Sequence, residues 1–146
     1  IPQEPHSLPG SIRLKLDPPF LCTDAQLTAC LRKVSLHTAV IALGGLDAPL
    51  AESALSHGQR QLLSLTRAIL KKEAQGARVL VLDEATSSLD QVTERTVQRV
   101  LREEFKGCIV VAVAHYIETI VDFNEVVVLV LKIGRMVARG RPRELL

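Results

Sequence analysis

The sequence predicts an α/β fold in which helices cover both faces of a mostly parallel sheet. Three observations carry that expectation. The runs Val79–Leu82, Cys108–Ala114 and Glu125–Leu131 are apolar almost throughout, as strands buried on both faces are. Segments with a helical period separate the first two of them. The first two also end in polar side chains, Asp83-Glu84 and His115, and open parallel sheets keep their ligand crevices at such strand ends.

The 146 residues suffice for one domain or for a large piece of a bigger one. Hydrophobic residues make up 47% and charged ones 23%, which excludes a disordered tail. Eighteen basic against 16 acidic side chains give a net charge of +2, too little for a polyanion-binding arm. The longest apolar runs, Ile109–Ala114 and Val126–Leu131, fall far short of the ~20 residues of a membrane helix. Three cysteines, Cys22, Cys30 and Cys108, form no Cys-x-x-Cys pair, so reduced interior thiols are expected rather than a zinc site. The sole methionine is Met136, and a truncation or processing event before Ile1 is expected.

The first twenty residues carry five prolines and read as extended or turning. Thr23 with Gln26, and Ser56 with Gln59, have the spacing of capping boxes, each opening a helix. Leu27, Cys30, Leu31 and Val34 make the stripe of the first; Gly58–Ala74, free of proline, make the body of the second. Residues 35–55, with Gly44-Gly45 and Pro49, read as short helix and loop. Asp90 caps a further helix with the stripe Val97, Val100, Leu101 and Phe105. Gly134 turns the third strand into a fourth over Arg135–Arg139. Arg99, Arg102, Glu103 and Glu104 read as a solvated helix face.

Asp83 and Glu84 at one strand end point in roughly opposite directions, so one can hold a cation while the other meets a water. Ser56-His57-Gly58-Gln59 opens a helix, where backbone N–H groups and a glycine permit close approach of an anion.

Taken in order, these pieces resemble the nucleotide-binding domain of ABC ATPases. Leu55–Gln59 is similar to the signature motif, Val79–Glu84 to the Walker B strand, Ser87–Asp90 to the D-loop and His115 to the switch histidine. Pro2-Gln3-Glu4-Pro5 resembles the Q-loop, and Gly10-Ser11-Ile12-Arg13 with Leu16-Asp17-Pro18 resembles the C, or multidrug-resistance-associated, subfamily of exporters. The resemblance implies a partial P-loop-NTPase-like three-layer core with a helical subdomain. Residues 1–20 would hold the Q-loop and the segment after it, 21–75 the helical subdomain, and 76–146 the Walker B strand through the closing strands.

It further implies an ATPase that uses ATP and Mg²⁺. Asp83 and Gln3 would serve the metal, Glu84 would be general base and His115 would contact the γ-phosphate. Ser56, His57, Gly58 and Gln59 would close on a nucleotide held by a second, head-to-tail nucleotide-binding domain, with Ser87 and Asp90 at the seam. Transmembrane domains of the same transporter would be the other partners, placing this segment on the cytosolic side of a membrane, with no nucleic acid bound. His57, Tyr116 and Lys132-Ile133 depart from the commonest pattern.

A P-loop needs G-x-x-x-x-G-K-[ST], and no Gly-Lys pair occurs in the sequence. The amino-terminal strands and Walker A are therefore expected to be missing, and the chain alone is expected neither to bind ATP usefully nor to hydrolyse it. A truncated non-catalytic ABC protein and a nucleic-acid-linked ABC ATPase are the alternative readings.

Overall fold

The computed structural model describes residues 1–3, 9–85, 89–114, 120–121, 123–130 and 134–145. They fall into two compact units, Ile1–Val113 and Ala114–Leu146. The first holds α1 (Ile12–Leu16), α2 (Asp24–Lys33), α3 (His37–Ala42), a 3₁₀ turn (Glu52–Ala54), α4 (His57–Gln75), β1 (Val79–Asp83), α5 (Gln91–Glu104) and β2 (Ile109–Val113). The second holds β3 (Val126–Val130), β4 (Arg135–Gly140) and the short α6 (Pro142–Leu145).

Side chains within three residues of each start fix the principal helices. Thr23 and Gln26 exchange hydrogen bonds at the head of α2, and Ser56 and Gln59 do so at the head of α4. Asp90 accepts from the backbone N–H groups of Val92 and Thr93, both at 3.0 Å, and opens α5. α4 stops at Gly76, whose φ of 67° suits glycine. α1 differs from the extended reading of the first twenty residues. Ser11 caps it, accepting from Leu14 N at 3.3 Å, and Pro9, Pro18 and Pro19 flank the helix rather than interrupt it.

The core of the first unit forms around α4, which packs against α1, α2 and α5. Leu62, Leu63, Leu65, Ile69 and Leu70 of α4 are buried with Leu27, Cys30 and Leu31 of α2, Ile12 and Leu16 of α1, and Val97 and Val100 of α5. Each large apolar side chain so buried contributes about 1.5–3 kcal/mol. Buried Lys15 donates from Nζ to Leu50 O at 2.6 Å, and buried Asp17 accepts from Cys22 N at 2.6 Å.

The solvated reading holds for exposed Arg99 and is corrected for Glu104, whose side chain is largely covered. Lys33 of α2 bridges Glu73 of α4 at 3.0 Å and Glu104 of α5 at 2.8 Å, while Arg99 donates to Lys33 O at 2.9 Å. Helical packing brings these charges together from three elements, which no local spacing encodes.

β1 and β2 pair in parallel from Val79↔Ile109 to Asp83↔Val113, with α5 as the crossover. Leu80 and Leu82 face the core. The expectation of cover on both faces is not met: Val79, Val81, Ile109, Val111 and Val113 of the opposite face are 50% to 65% exposed. Among the described residues no third strand pairs with these two, although Ile1 docks on the free side of β1, donating to Val81 O at 2.5 Å and accepting from Asp83 N at 2.9 Å.

In the second unit β3 and β4 pair antiparallel, from Val126↔Gly140 to Val130↔Arg135, with an irregularity between Val128 and Leu129. Gly134 precedes β4 with a φ of 61°. Arg139 grips Glu125 with two bonds, at 2.7 and 3.1 Å. These are the third and fourth strands read from the sequence, forming a two-stranded antiparallel sheet.

Burial first, and Glu73 beside it second, push the Cys30 thiol up to about 12. Iodoacetamide at pH 8 is expected to label Cys108 and to spare Cys30 until denaturant is added, since the thiolate is the reactive form. Prompt labelling of Cys30, read by peptide mass, would refute the α2–α4 packing.

Candidate functional site

β1 delivers two carboxylates. Asp83 is its last residue, and Glu84 follows with a φ of 46°, a left-handed conformation uncommon outside glycine. Glu84 N donates to Val113 O at 3.0 Å, tying the turn to the end of β2. Gln3, 81 positions away, donates from Nε2 to Glu84 Oε2 at 2.9 Å. Gln3, Asp83 and Glu84, chosen from separate stretches of the sequence, thus meet at one strand end.

Gln61, which the sequence reading includes in the run after Leu55 but gives no role, holds the backbone of that approach. Its Nε2 donates to Pro2 O at 3.2 Å and to Gln3 O at 2.6 Å. Its Oε1 is buried with no hydrogen-bond partner among the described residues. A buried acceptor of that kind costs about 1–3 kcal/mol, which offsets most of what two neutral bonds of about 1 kcal/mol each contribute. No local spacing points to Gln61; only its polarity on an otherwise apolar helix face marks it.

The second group of candidates sits where α4 and α5 begin. Ser56 Oγ accepts from Gln59 N at 3.2 Å, and Gln59 Oε1 accepts from Ser56 N at 2.9 Å. Ser56 is exposed, and its hydroxyl retains a proton to donate. His57, Gly58 and Gln59 are half-buried in the same turn. A Cβ added to Gly58 would lie 3.2 Å from Thr93 Cγ2 and 3.3 Å from Thr93 Oγ1. Thr93 Oγ1 donates to Asp90 Oδ2 at 2.7 Å, and that hydroxyl, with the Thr93 and Val92 backbone, holds the Asp90 carboxyl below its usual range. Ser56, Gly58 and Asp90 are therefore neighbours through Thr93, a contact between two helix starts that spacing along either helix does not reveal.

His115 and Ser87 lie outside the described residues, as do Tyr116 and Lys132-Ile133. Among the described residues no group of three or more His, Cys, Asp or Glu is gathered as a metal cage. The Asp83 carboxylate and the Gln3 amide Oε1 are each hard oxygen donors of the type magnesium accepts alongside phosphate and water. A groove of about 430 Å³ lined by Ile1, Arg67, Lys71, Val81 and Phe105 includes none of the candidate residues. No helix among the described residues is long and apolar enough to cross a membrane.

No protein-family model matches the chain. Curated relatives match it throughout. The ABC transporter ecdL of Aspergillus rugulosus is 43% identical over 145 residues, which is 99% of this chain and 9% of that protein. ABC multidrug transporter B of Aspergillus fumigatus is 43% identical over 146 residues, 100% of this chain and 10% of that protein. ABC transporter C family member 13 of Oryza sativa is 42% identical over 149 residues, again 100% and 10%. The chain spans about a tenth of the length of the curated relatives it matches.

Gly58→Ala is expected to lower the urea midpoint despite alanine's better helix propensity, because Thr93 leaves its methyl too little room. In a Thr93→Ala background, which removes both crowding atoms and leaves only Cβ at 3.6 Å, the same change is expected to be neutral or stabilising. Equal effects in both backgrounds would refute the contact.

Proposed function

Homology supports an ABC-transporter-family domain, and from that premise we propose that this chain is the carboxyl-terminal part of a C-subfamily nucleotide-binding domain. In that reading it helps bind and hydrolyse ATP, and the cycle drives export through transmembrane domains elsewhere in the transporter, this segment lying on the cytosolic side. The supporting observation is the Gln3 amide on Glu84 at 2.9 Å, at the end of the strand that carries Asp83. The core is then part of a P-loop-NTPase-like sheet, and the segments 1–20, 21–75 and 76–146 are its Q-loop, helical and Walker B parts.

Phosphoryl transfer asks for positioning and for neutralised charge more than for covalent chemistry. Asp83 and Gln3 Oε1 would hold Mg²⁺, which supplies charge neutralisation on the phosphates. Glu84 orients the attacking water and accepts its proton, and Gln3 Nε2 fixes the carboxylate that does so. His115, beyond β2, takes the γ-phosphate. Ser56 donates its hydroxyl proton, and His57, Gly58 and Gln59 offer the first-turn backbone of α4, to a nucleotide held by a head-to-tail second domain. Ser87 and Asp90 line that seam, where Thr93 keeps Asp90 ionised and turned to its own helix start.

The P-loop lysine and its glycines have no counterpart in these 146 residues. Losing even three charge-assisted phosphate contacts, at roughly 1.5–3 kcal/mol each, weakens binding by roughly three to six powers of ten.

Calorimetric titration of the 146-residue chain with Mg-ATP is expected to show no saturation below millimolar concentration; a micromolar Kd would refute the division of labour proposed for the P-loop. Grafted in place of the matching segment of a full-length relative, the chain is expected to support ATP hydrolysis. Glu84→Gln in that graft should cut kcat by about 100-fold or more while nucleotide binding persists. Turnover unchanged by Glu84→Gln would overturn the reading.

A further inference from the structure

Gln61 is 3% exposed and sits two residues past the capping box of α4. Its amide nitrogen meets two successive carbonyls, those of Pro2 and Gln3. Gln3 then reaches Glu84. On its other side the same short segment is bonded to β1 through Ile1, at Val81 O and Asp83 N. Residues 1–3 therefore hang between a strand and one side chain of a helix. An apolar side chain of similar length would fill the space of Gln61 without the orphaned Oε1. What the amide alone supplies is the pair of donor contacts.

We infer that Gln61 is a positioning residue that holds Gln3 against Glu84 by clamping the carbonyls of residues 2 and 3. Because Gln61 belongs to α4, the place of Gln3 follows the seating of the helix whose first turn carries Ser56 and Gly58. Any shift of that turn on docking is passed to the Gln3–Glu84 contact through a continuous line of hydrogen bonds. The functional meaning of this device rests on the ATPase reading above; the clamp itself does not.

In the full 146-residue chain, Gln61→Met removes both donors at nearly constant volume. The ¹⁵N order parameter of the Gln3 backbone amide is expected to fall from a rigid ~0.85 to below ~0.6, with the urea midpoint little changed. Gln61→Glu sets carboxylate oxygens against the two carbonyls and is expected to loosen Gln3 likewise. A Gln3 amide as rigid in both variants as in the parent would overturn the inference. Without any substitution, the Gln61 carboxamide protons should resist exchange, and immediate exchange would also overturn it. In the graft, Gln61→Met is expected to lower kcat tenfold or more with KM for ATP unchanged. A loosened Gln3 with full kcat would leave the clamp standing and instead overturn the role given to Gln3 and Glu84.

Discussion

Burial of one face of α4 is the condition on which the rest of the first unit depends. Leu65 and Ile69 are 0% exposed, and α1, α2 and α5 all pack on this helix. Even its buried threonine is reconciled locally, Thr66 Oγ1 donating to Leu62 O at 2.8 Å one turn back. With the helix seated, its first turn presents Ser56 and Gly58, and its flank presents Gln61 to residues 2 and 3. The first turn of α4 and the placement of Gln3 thus share one packing event, while β1 delivers the two carboxylates.

Charge reinforces the same seat. Lys33 is 35% exposed at its side chain and works against partial burial, yet the carboxylates of Glu104 and Glu73 outweigh that cost and raise its pKa. Lys72 adds a bond to Glu104 O and lies 5.8 Å from the centre of the Phe105 ring. Exposed pairs such as Arg99–Glu103 contribute little by themselves. The three-helix arrangement around Lys33 matters more because it fixes α2, α4 and α5 relative to one another with a single side chain.

What the sequence disclosed is what is local. Thr23 with Gln26, Ser56 with Gln59, and Asp90 with the two residues after Gln91 close over three positions, so spacing alone reveals them. The acid doublet declared itself by following an apolar run that became β1. Contacts across tens of residues stayed hidden: Gln61 on Pro2 and Gln3, Thr93 against Gly58, and Lys33 between two helices. The exposed face of the β1–β2 pair was hidden for another reason. Valines and isoleucines announce a strand that would be stable under two layers, and say nothing of whether both layers are in the same 146 residues.

Residue 84 sets two requirements against each other. Its left-handed backbone costs an ordinary side chain roughly 1–2 kcal/mol, which glycine would not incur. Glycine would also delete the acceptor on which Gln3 closes. Enrichment of a randomised library for heat resistance alone would therefore erode the acid at this position, and only a second sieve that scores chemistry would bring it back.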